Sequence, residues 1–128
     1  MKQDSKDGMN EAGRAGEEHA ARWLEQHGMH VLYRNWREGR NEIDLIVRDG
    51  QTIAFVEVKT RRLGPGGTPA AAVSATKRRR LARAAAGWIA GRPGEGGEFR
   101  FDIIEVTNAA GGEPLVEHLP DALRSDES

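Results

Sequence analysis

Cysteine is absent from the 128-residue chain, so neither a disulfide framework nor a thiolate zinc site is available to it. No apolar run approaches the roughly 18 residues that a membrane-spanning helix requires. The first ten residues, MKQDSKDGMN, are too polar for a signal peptide. We therefore expect a cytoplasmic protein without a membrane partner, with the length of one domain and a single core.

Acidic residues are absent from the segment between Lys59 and Arg92, although the net charge of the whole chain is only −1. This segment holds nine basic residues, namely Lys59, Arg61, Arg62, Lys77, Arg78, Arg79, Arg80, Arg83 and Arg92. The rest of the chain carries ten basic residues and all twenty acidic ones. A basic block beside an acidic body favours a polyanionic partner. A solvated helix face is the alternative explanation of the same charges.

The hydrophobic pattern predicts one mixed α/β domain with the element order α-β-β-β-α-β-β. An amphipathic helix is predicted from Asn10 to Gly28, and a second one from Ser74 or Ala75 to Ala90. MHVLYRN is the first of three strands between the helices, and two strands follow the second helix. The domain is predicted to span residues 10–122, and residues 1–9 and 123–128 are predicted to be disordered.

The segment NEIDLIVRDGQTIAFVEVKT, residues 41–60, predicts a β-hairpin because Asp49-Gly50 is a strong signal for a two-residue turn. In that register the numbers of facing residues add up to 99, so Leu45 faces Ala54. One face of the hairpin is then almost wholly apolar and must lie on a core. It is formed by Ile43, Leu45, Val47, Thr52, Ala54 and Val56.

The opposite face of this hairpin is apolar near the turn and charged at its far end. There Glu42 comes directly opposite Glu57, and Asp44 lies diagonal to Glu57. Like charges at this range, about 7 Å or less between Cβ atoms, destabilise a sheet unless something neutralises them. A divalent cation would do so, and Asp44 and Glu57 could share one Mg²⁺ ion. Lys59 projects from the same face, either to hold an attacking water or, alternatively, as a plain salt-bridge partner of Glu57.

Each helix directs one charged residue towards the interior. Glu17 lies three and seven residues before Ala20 and Leu24 of the apolar stripe in the first helix. An inward carboxylate needs a partner, which the cation would provide. Alternatively, Glu17 stabilises the first turn through the helix dipole. Lys77 lies four residues before Leu81 in the second helix, so it either contacts a substrate phosphate or extends to the surface.

Five segments in fixed order resemble the YraN family of uncharacterised bacterial proteins and, more widely, the PD-(D/E)xK nuclease superfamily. They are GRAGEEHAARWL, RNWREGRNEIDLIV, FVEVKTR, the lysine of ATKRRRL, and RFDII, and they lie within residues 13–106. The resemblance equates Asp44 with the aspartate of the second strand, and Glu57 and Lys59 with the E-x-K of the third. It equates Glu17 with the glutamate of the first helix and Lys77 with the lysine that opens the second.

The chain departs from the superfamily pattern at two positions. Ile43 stands where the superfamily name has proline, a difference that is common among its members. Asn41 occupies a position that is usually glycine in this family. Because asparagine tolerates positive φ better than most residues, a special backbone at Asn41 would be retained.

The resemblance implies a restriction-endonuclease-like fold, a mixed β-sheet flanked by helices. It also implies hydrolysis of phosphodiester bonds in DNA, including branched DNA, with Mg²⁺ or Mn²⁺ as cofactor and a homodimer as the expected assembly. The implied catalytic residues are Asp44, Glu57, Lys59 and Glu17, and the implied metal ligands are Asp44, Glu57, Glu17 and Glu42. The basic block would contact phosphates through Arg61, Arg62, Lys77, Arg78, Arg79, Arg80 and Arg83.

Two other classes of function are compatible with the same residues. A non-catalytic nucleic-acid-binding protein would keep the fold and the basic surface without turnover. A protein–protein adaptor would use the exposed apolar part of the sheet and would not require the acidic residues. An assay of DNA cleavage with Mg²⁺ or Mn²⁺ discriminates among the three.

Overall fold

Two helices and five strands make up the described part of the chain, residues 11–62, 74–95, 97–108 and 113–122 of a computed structural model. The elements are α1 (Glu11–Gln26), β1 (His30–Glu38), β2 (Asn41–Asp49), β3 (Thr52–Arg62), α2 (Ala75–Ala90), β4 (Glu98–Asn108) and β5 (Leu115–Leu119). The predicted order α-β-β-β-α-β-β is confirmed. Asn10 and the tails predicted to be disordered, residues 1–9 and 123–128, lie outside the described residues. Neither described helix is long and apolar enough to cross a membrane.

The five strands form one mixed sheet in the order β1-β2-β3-β4-β5. Neighbouring strands are antiparallel except β3 and β4, which are parallel because α2 lies in the crossover between them. The two faces of the sheet carry separate cores. The core beneath α1 contains Ala20, Ala21, Leu24, Leu45, Val47, Ala54, Val56, Ile104 and Val106. The core beneath α2 contains Ile43, Ile46, Ile53, Phe55, Leu81, Ala84, Ala85, Trp88 and Ile103.

The second helix begins where the sequence predicts. Ser74 is its N-cap, and the Ser74 hydroxyl accepts a hydrogen bond from the Lys77 backbone amide at 3.1 Å. Leu81 and Trp88 lie on the buried side of the helix. This cap places Lys77 in the first turn of α2, at the end of the helix that lies near the acidic end of β3.

The observed register of the β2–β3 hairpin differs from the predicted register by two residues. Asp49 pairs with Thr52, so the central residues of the turn are Gly50 and Gln51 and not Asp49 and Gly50. Gly50 has a φ of 64°, a conformation that the first position of such a turn requires and that glycine adopts without strain. The numbers of facing residues therefore add up to 101.

Two consequences of the predicted register are wrong. Glu42 does not face Glu57, because in the observed register position 57 comes opposite position 44, and the pairing of β2 with β3 ends at Leu45↔Val56. The predicted apolar face also breaks at one end: Leu45 packs beneath α1, whereas Ile43 packs beneath α2. Strict alternation would put these two residues on the same face, so the backbone of β2 departs from a regular strand at the residue between them, Asp44.

A buried carboxylate ties together β4, β5 and the hairpin turn. Asp102 accepts hydrogen bonds from Arg100 Nε at 2.9 Å and from the Asp121 amide at 2.9 Å, and His118 Nε2 lies 2.8 Å from it. Burial opposes ionisation of Asp102 most strongly, but the bonds to His118, Arg100 and Asp121 together keep its pKa below the ordinary value. Arg100 also pairs with Asp49 at 3.0 Å. Arg100 and Asp102 therefore form a structural ion pair within β4.

Close packing of α1 on β3 predicts unequal effects of two glycine substitutions. A Cβ atom on Gly16 would overlap the Thr60 hydroxyl and lie 3.2 Å from the Thr60 Cβ. We expect Gly16→Ala to lower the free energy of unfolding by about 1–3 kcal/mol, because overpacking outweighs the ~1 kcal/mol that alanine gains over glycine inside a helix. Urea unfolding measures the change.

Gly87→Ala in α2 is the matched control. A Cβ atom there would meet the end of the exposed, flexible Glu38 side chain, which can move aside. We expect this variant to be as stable as the wild type or up to about 1 kcal/mol more stable. Equal effects of the two substitutions would contradict the close approach of α1 at Gly16.

Candidate functional site

An opening between β2 and β3 forms the centre of the candidate site. The two strands pair from Asp49↔Thr52 as far as Leu45↔Val56. Beyond that point the Val58 amide donates a hydrogen bond to Asp44 Oδ2 at 2.8 Å. A ladder continued in the same register would offer this amide a backbone carbonyl of β2. The Asp44 side chain therefore lies where the two strands separate.

A paired irregularity in β1 and β2 explains why the side chain of Asp44 lies there. Asn35 has a φ of 51°, a value that asparagine adopts more readily than most residues. Asn35 lies opposite Asp44, between the register pairs Arg34↔Leu45 and Trp36↔Ile43. As a result the consecutive side chains of Arg34 and Asn35 both contact α1, Arg34 through Glu18 at 2.6 Å. The special backbone suggested for Asn41 is wrong, since among the described residues positive φ occurs nearby at Asn35 and Gly39 instead.

Glu17 extends from α1 to the opening. Its carboxylate accepts a hydrogen bond from Asn35 Nδ2 at 2.9 Å, and the same amide lies 3.4 Å from Glu42 Oε2. The Asp44 carboxyl group is a further neighbour of Glu17 in the opening. Burial raises the pKa of Glu17, and the charges of Glu42 and Glu57 add to the rise while the bond to Asn35 opposes it. Because Glu17 lies beyond the first turn of α1, its alternative role as a dipole-stabilising residue there is wrong.

The pKa of Asp44 is determined by its position in the opening between β2 and β3. Burial raises the pKa of Asp44 well above the ordinary value of 3.8, and the charges of Glu57 and Glu17 raise it further. The Val58 amide and the Lys77 charge oppose the rise only in part. The acids of this opening therefore oppose each other's ionisation, and a cation beside them would relieve that repulsion.

The two lysines near Glu57 differ in their contacts. Glu57 is buried on the α2 side of the sheet, and Lys77 Nζ lies 3.4 Å from its Oε2. The predicted inward orientation of Lys77 is thereby confirmed. Lys59 is half-buried two residues further along β3, and within the described ranges no ion pair joins it to a carboxylate. The salt bridge to Glu57 that was the alternative role of Lys59 is formed by Lys77 instead.

The other basic residues predicted to contact nucleic acid differ in their surroundings. Arg61 Nε lies 2.6 Å from the buried Glu105 carboxylate, in an ion pair whose angles are not those of a linear hydrogen bond. The side chain of Arg62 lies outside the described part of the structure. Four arginines are exposed along α2, namely Arg78, Arg79, Arg80 and Arg83.

The predicted ligand set has the chemistry that Mg²⁺ or Mn²⁺ requires, without forming a cage. Asp44, Glu57, Glu17 and Glu42 supply only oxygen donors, which suit these hard cations. Among the described residues, however, no group of three or more His, Asp or Glu side chains has the arrangement of a metal site. Mg²⁺ usually binds through one or two carboxylates together with substrate phosphates. The pair Asp44 and Glu57 fits that kind of site.

Two features of the site were missed from the sequence. Asn35, which contacts both Glu17 and Glu42, was predicted to end the first strand, although β1 continues to Glu38. Arg40 was not singled out, yet it lines a cleft of about 620 Å³ together with Asn41, Arg80 and Arg83. An asparagine between two strand-forming residues is a signal that could have identified the first. The second depends on tertiary packing.

The comparisons with known proteins concern most of the chain. A family model described as "Uncharacterised protein family UPF0102" matches residues 16–106. Similar proteins titled "UPF0102 protein" include one from Nocardia farcinica, with 50% identity over 107 residues that cover 84% of each chain. One from Anaeromyxobacter dehalogenans has 44% identity over 120 residues, 94% of this chain and 89% of the relative. One from Geobacter metallireducens has 44% identity over 110 residues, 86% of this chain and 89% of the relative.

The acidic opening predicts that Asp44→Asn stabilises the metal-free protein. At pH 7 we expect the free energy of unfolding to rise by about 1–2 kcal/mol, because the amide removes an unfavourable charge and can still accept from the Val58 amide. A raised folded pKa means that stability is lost as pH rises above 3.8 and through the folded value. The gain should therefore grow from about pH 4 towards neutrality, as measured by urea unfolding in EDTA.

Asp102→Asn is a control for which we expect the opposite change in the free energy of unfolding. The pKa of Asp102 is lowered, so its charge stabilises the fold at neutral pH and this contribution is lost as pH falls through the folded pKa. We expect this variant to be destabilised at pH 7 and to differ less from the wild type in acid. A destabilised Asp44→Asn variant at pH 7 would contradict the acidic repulsion at the opening.

Proposed function

The chain belongs to the uncharacterised protein family UPF0102, and we propose that it is a divalent-cation-dependent endonuclease that hydrolyses phosphodiester bonds in DNA. The observation that carries this proposal is the opening between β2 and β3. There Asp44 accepts a hydrogen bond from the Val58 amide, Asn35 holds Glu17 beside it, and burial with the charges of Glu57 and Glu17 raises the pKa of Asp44. We assign the fold to the PD-(D/E)xK nuclease superfamily as part of the same proposal.

Asp44 and Glu57 are the residues that would hold the cation, with Glu17 or Glu42 as a further ligand. When bound there, Mg²⁺ or Mn²⁺ supplies polarisation of the phosphate and a lowered pKa of a bound water. A cation there would also support the fold, since it would offset the repulsion among these acids. These acids would be expensive to keep together without such a role, because burial and mutual repulsion both oppose their ionisation.

Lys59 is the residue best suited to act on the water and on the developing charge. Lys59 lies two residues beyond Glu57 on β3. Within the described part of the chain, no carboxylate neutralises its ammonium group. A lysine in that state can orient an attacking water and stabilise negative charge on the phosphate oxygens. Lys77 neutralises Glu57 and is about half exposed, so its ammonium group can also reach a phosphate.

The exposed arginines of α2 supply the proposed contacts with the sugar–phosphate backbone. Such contacts fix the position of a nucleic acid without reading its sequence, so we propose selectivity for DNA structure and not for base sequence. Arg61 is engaged with Glu105 and contributes to these contacts less directly. A homodimer, which would present two such sites, suits a branched substrate in which two strands must be cut.

A non-catalytic nucleic-acid-binding protein is the second candidate. It is favoured by one observation, that no group of three or more metal-ligating side chains is preformed among the described residues. The same arginines would then bind the backbone, and Asp44 and Glu17 would take no part in turnover. The two candidates differ in whether DNA is cleaved when Mg²⁺ or Mn²⁺ is present.

Cleavage assays on branched, single-stranded and supercoiled DNA with Mg²⁺ or Mn²⁺ test the proposal. We expect the wild type to cleave at least one of these substrates. Asp44→Asn and Lys59→Ala should each lower the rate by roughly 100-fold or more, because each removes a group that acts on the reacting phosphate or water.

Glu18→Gln is the control for this experiment, because Glu18 is the neighbour of Glu17 on α1 but pairs with Arg34 and Arg22 on the surface. It should retain the wild-type rate. Binding of DNA without cleavage under all of these conditions would favour the second candidate, and equal cleavage by the wild type and Asp44→Asn would exclude the proposed site.

A further inference from the structure

A basic cleft lies between the β1–β2 turn and α2, apart from the acidic opening. Its volume is about 620 Å³, and it is lined by Arg40, Asn41, Arg80 and Arg83. Three of these four residues carry a positive charge and none is acidic. Within the described ranges, no ion pair links any of the three arginines to a carboxylate. Three like charges around one cleft give it a positive potential that favours an anion.

The local structure explains why Arg40 faces the helix. Glu38 pairs with Asn41, so Gly39 and Arg40 are the central residues of a two-residue turn, and Gly39 has the φ of 62° that such a turn requires. The Glu38 side chain packs against Gly87 of α2, which holds the turn close to the helix. Glu38 is also the nearest acid on this turn, and it contacts the helix one turn beyond Arg83.

The cleft continues a row of positive charge that begins at the acidic opening. Lys77, Arg80 and Arg83 follow each other at intervals of three residues along α2. Arg83 therefore lies about 9 Å from Lys77 along the helix axis, at 1.5 Å per residue. On the other wall, Arg40 precedes Asp44 by four residues of extended strand, or about 13 Å.

We propose that this cleft binds a phosphate of the nucleic-acid backbone other than the one that is cut. One strand of a duplex advances about 3.4 Å along the axis per nucleotide, so a distance of roughly 10 Å corresponds to about three nucleotides. The guanidinium groups of Arg40, Arg80 and Arg83 are suited to bidentate contact with phosphate oxygens. The cleft and the acidic opening together define the path of the strand, an inference that rests on the proposed function.

Metal-free binding measurements test this inference without any need for cleavage. Fluorescence anisotropy with a labelled DNA duplex and a labelled single strand, in EDTA and over a series of NaCl concentrations, gives the affinity and its salt dependence. We expect Arg40→Ala and Arg83→Ala each to weaken binding about tenfold at low salt and to reduce the slope of log K against log[NaCl] by about one.

Arg22→Ala is the charge-matched control, because Arg22 lies on the exposed side of α1 and pairs with Glu18. It should change the affinity less than about twofold and leave the salt slope unchanged. Circular dichroism of the Arg40→Ala, Arg83→Ala and Arg22→Ala variants verifies that they fold. Sodium phosphate at the ionic strength of the NaCl series should compete no better than chloride, since a single phosphate lacks the adjoining backbone.

The possible results separate the inference from the proposed function. If Arg40→Ala and Arg83→Ala bind DNA as Arg22→Ala does, the inference is overturned, even if the wild type cleaves DNA. If they lose affinity while the wild type fails to cleave any substrate, the cleft remains a phosphate site and the endonuclease proposal falls. Competition by inorganic phosphate as strong as that by unlabelled DNA would identify a small-anion site and overturn the inference.

Discussion

Negative charge in a partly buried opening of the sheet is the constraint on which the rest of the molecule depends. Burial and the neighbouring charges of Glu57 and Glu17 raise the pKa of Asp44. A domain selected for stability alone would place apolar residues there, because each ionised carboxylate weakens the fold. A cation between these acids would offset their repulsion, which is why we propose a metal-dependent function.

The scaffold around the opening holds the acids together against their repulsion. α1 approaches β3 closely enough at Gly16 to leave no room for a side chain, and the next residue, Glu17, is thereby held at the opening. Asn35 fixes Glu17 through its amide, and its positive φ accompanies the break in β2 that directs Asp44 into the opening. Lys77, held in the first turn of α2 by its N-cap, pairs with Glu57.

Local sequence patterns predicted the elements and the acidic residues better than their exact pairing. The helical stripe around Leu81 and the Ser74 cap depend on neighbours within one or two turns, so periodicity located them. The hairpin register depends on which two of the residues Asp49, Gly50 and Gln51 form the turn. Gly50 occupies the first turn position because that position requires a positive φ. The position of Asn35 could have been suspected from the local sequence, but its contact with α1 and the cleft at Arg40 depend on tertiary packing.

Calorimetric titration of Mn²⁺ into the metal-free protein tests the central claim most directly, with each titration done in two buffers of different ionisation enthalpy. Because burial and the neighbouring charges raise the pKa of Asp44, we expect saturable binding at millimolar or lower Mn²⁺ with release of a proton. Asp44→Asn should lose both the binding and the proton release. A wild-type protein that ignores millimolar Mn²⁺, or an Asp44→Asn variant that binds it equally well, would contradict a cation site at the opening.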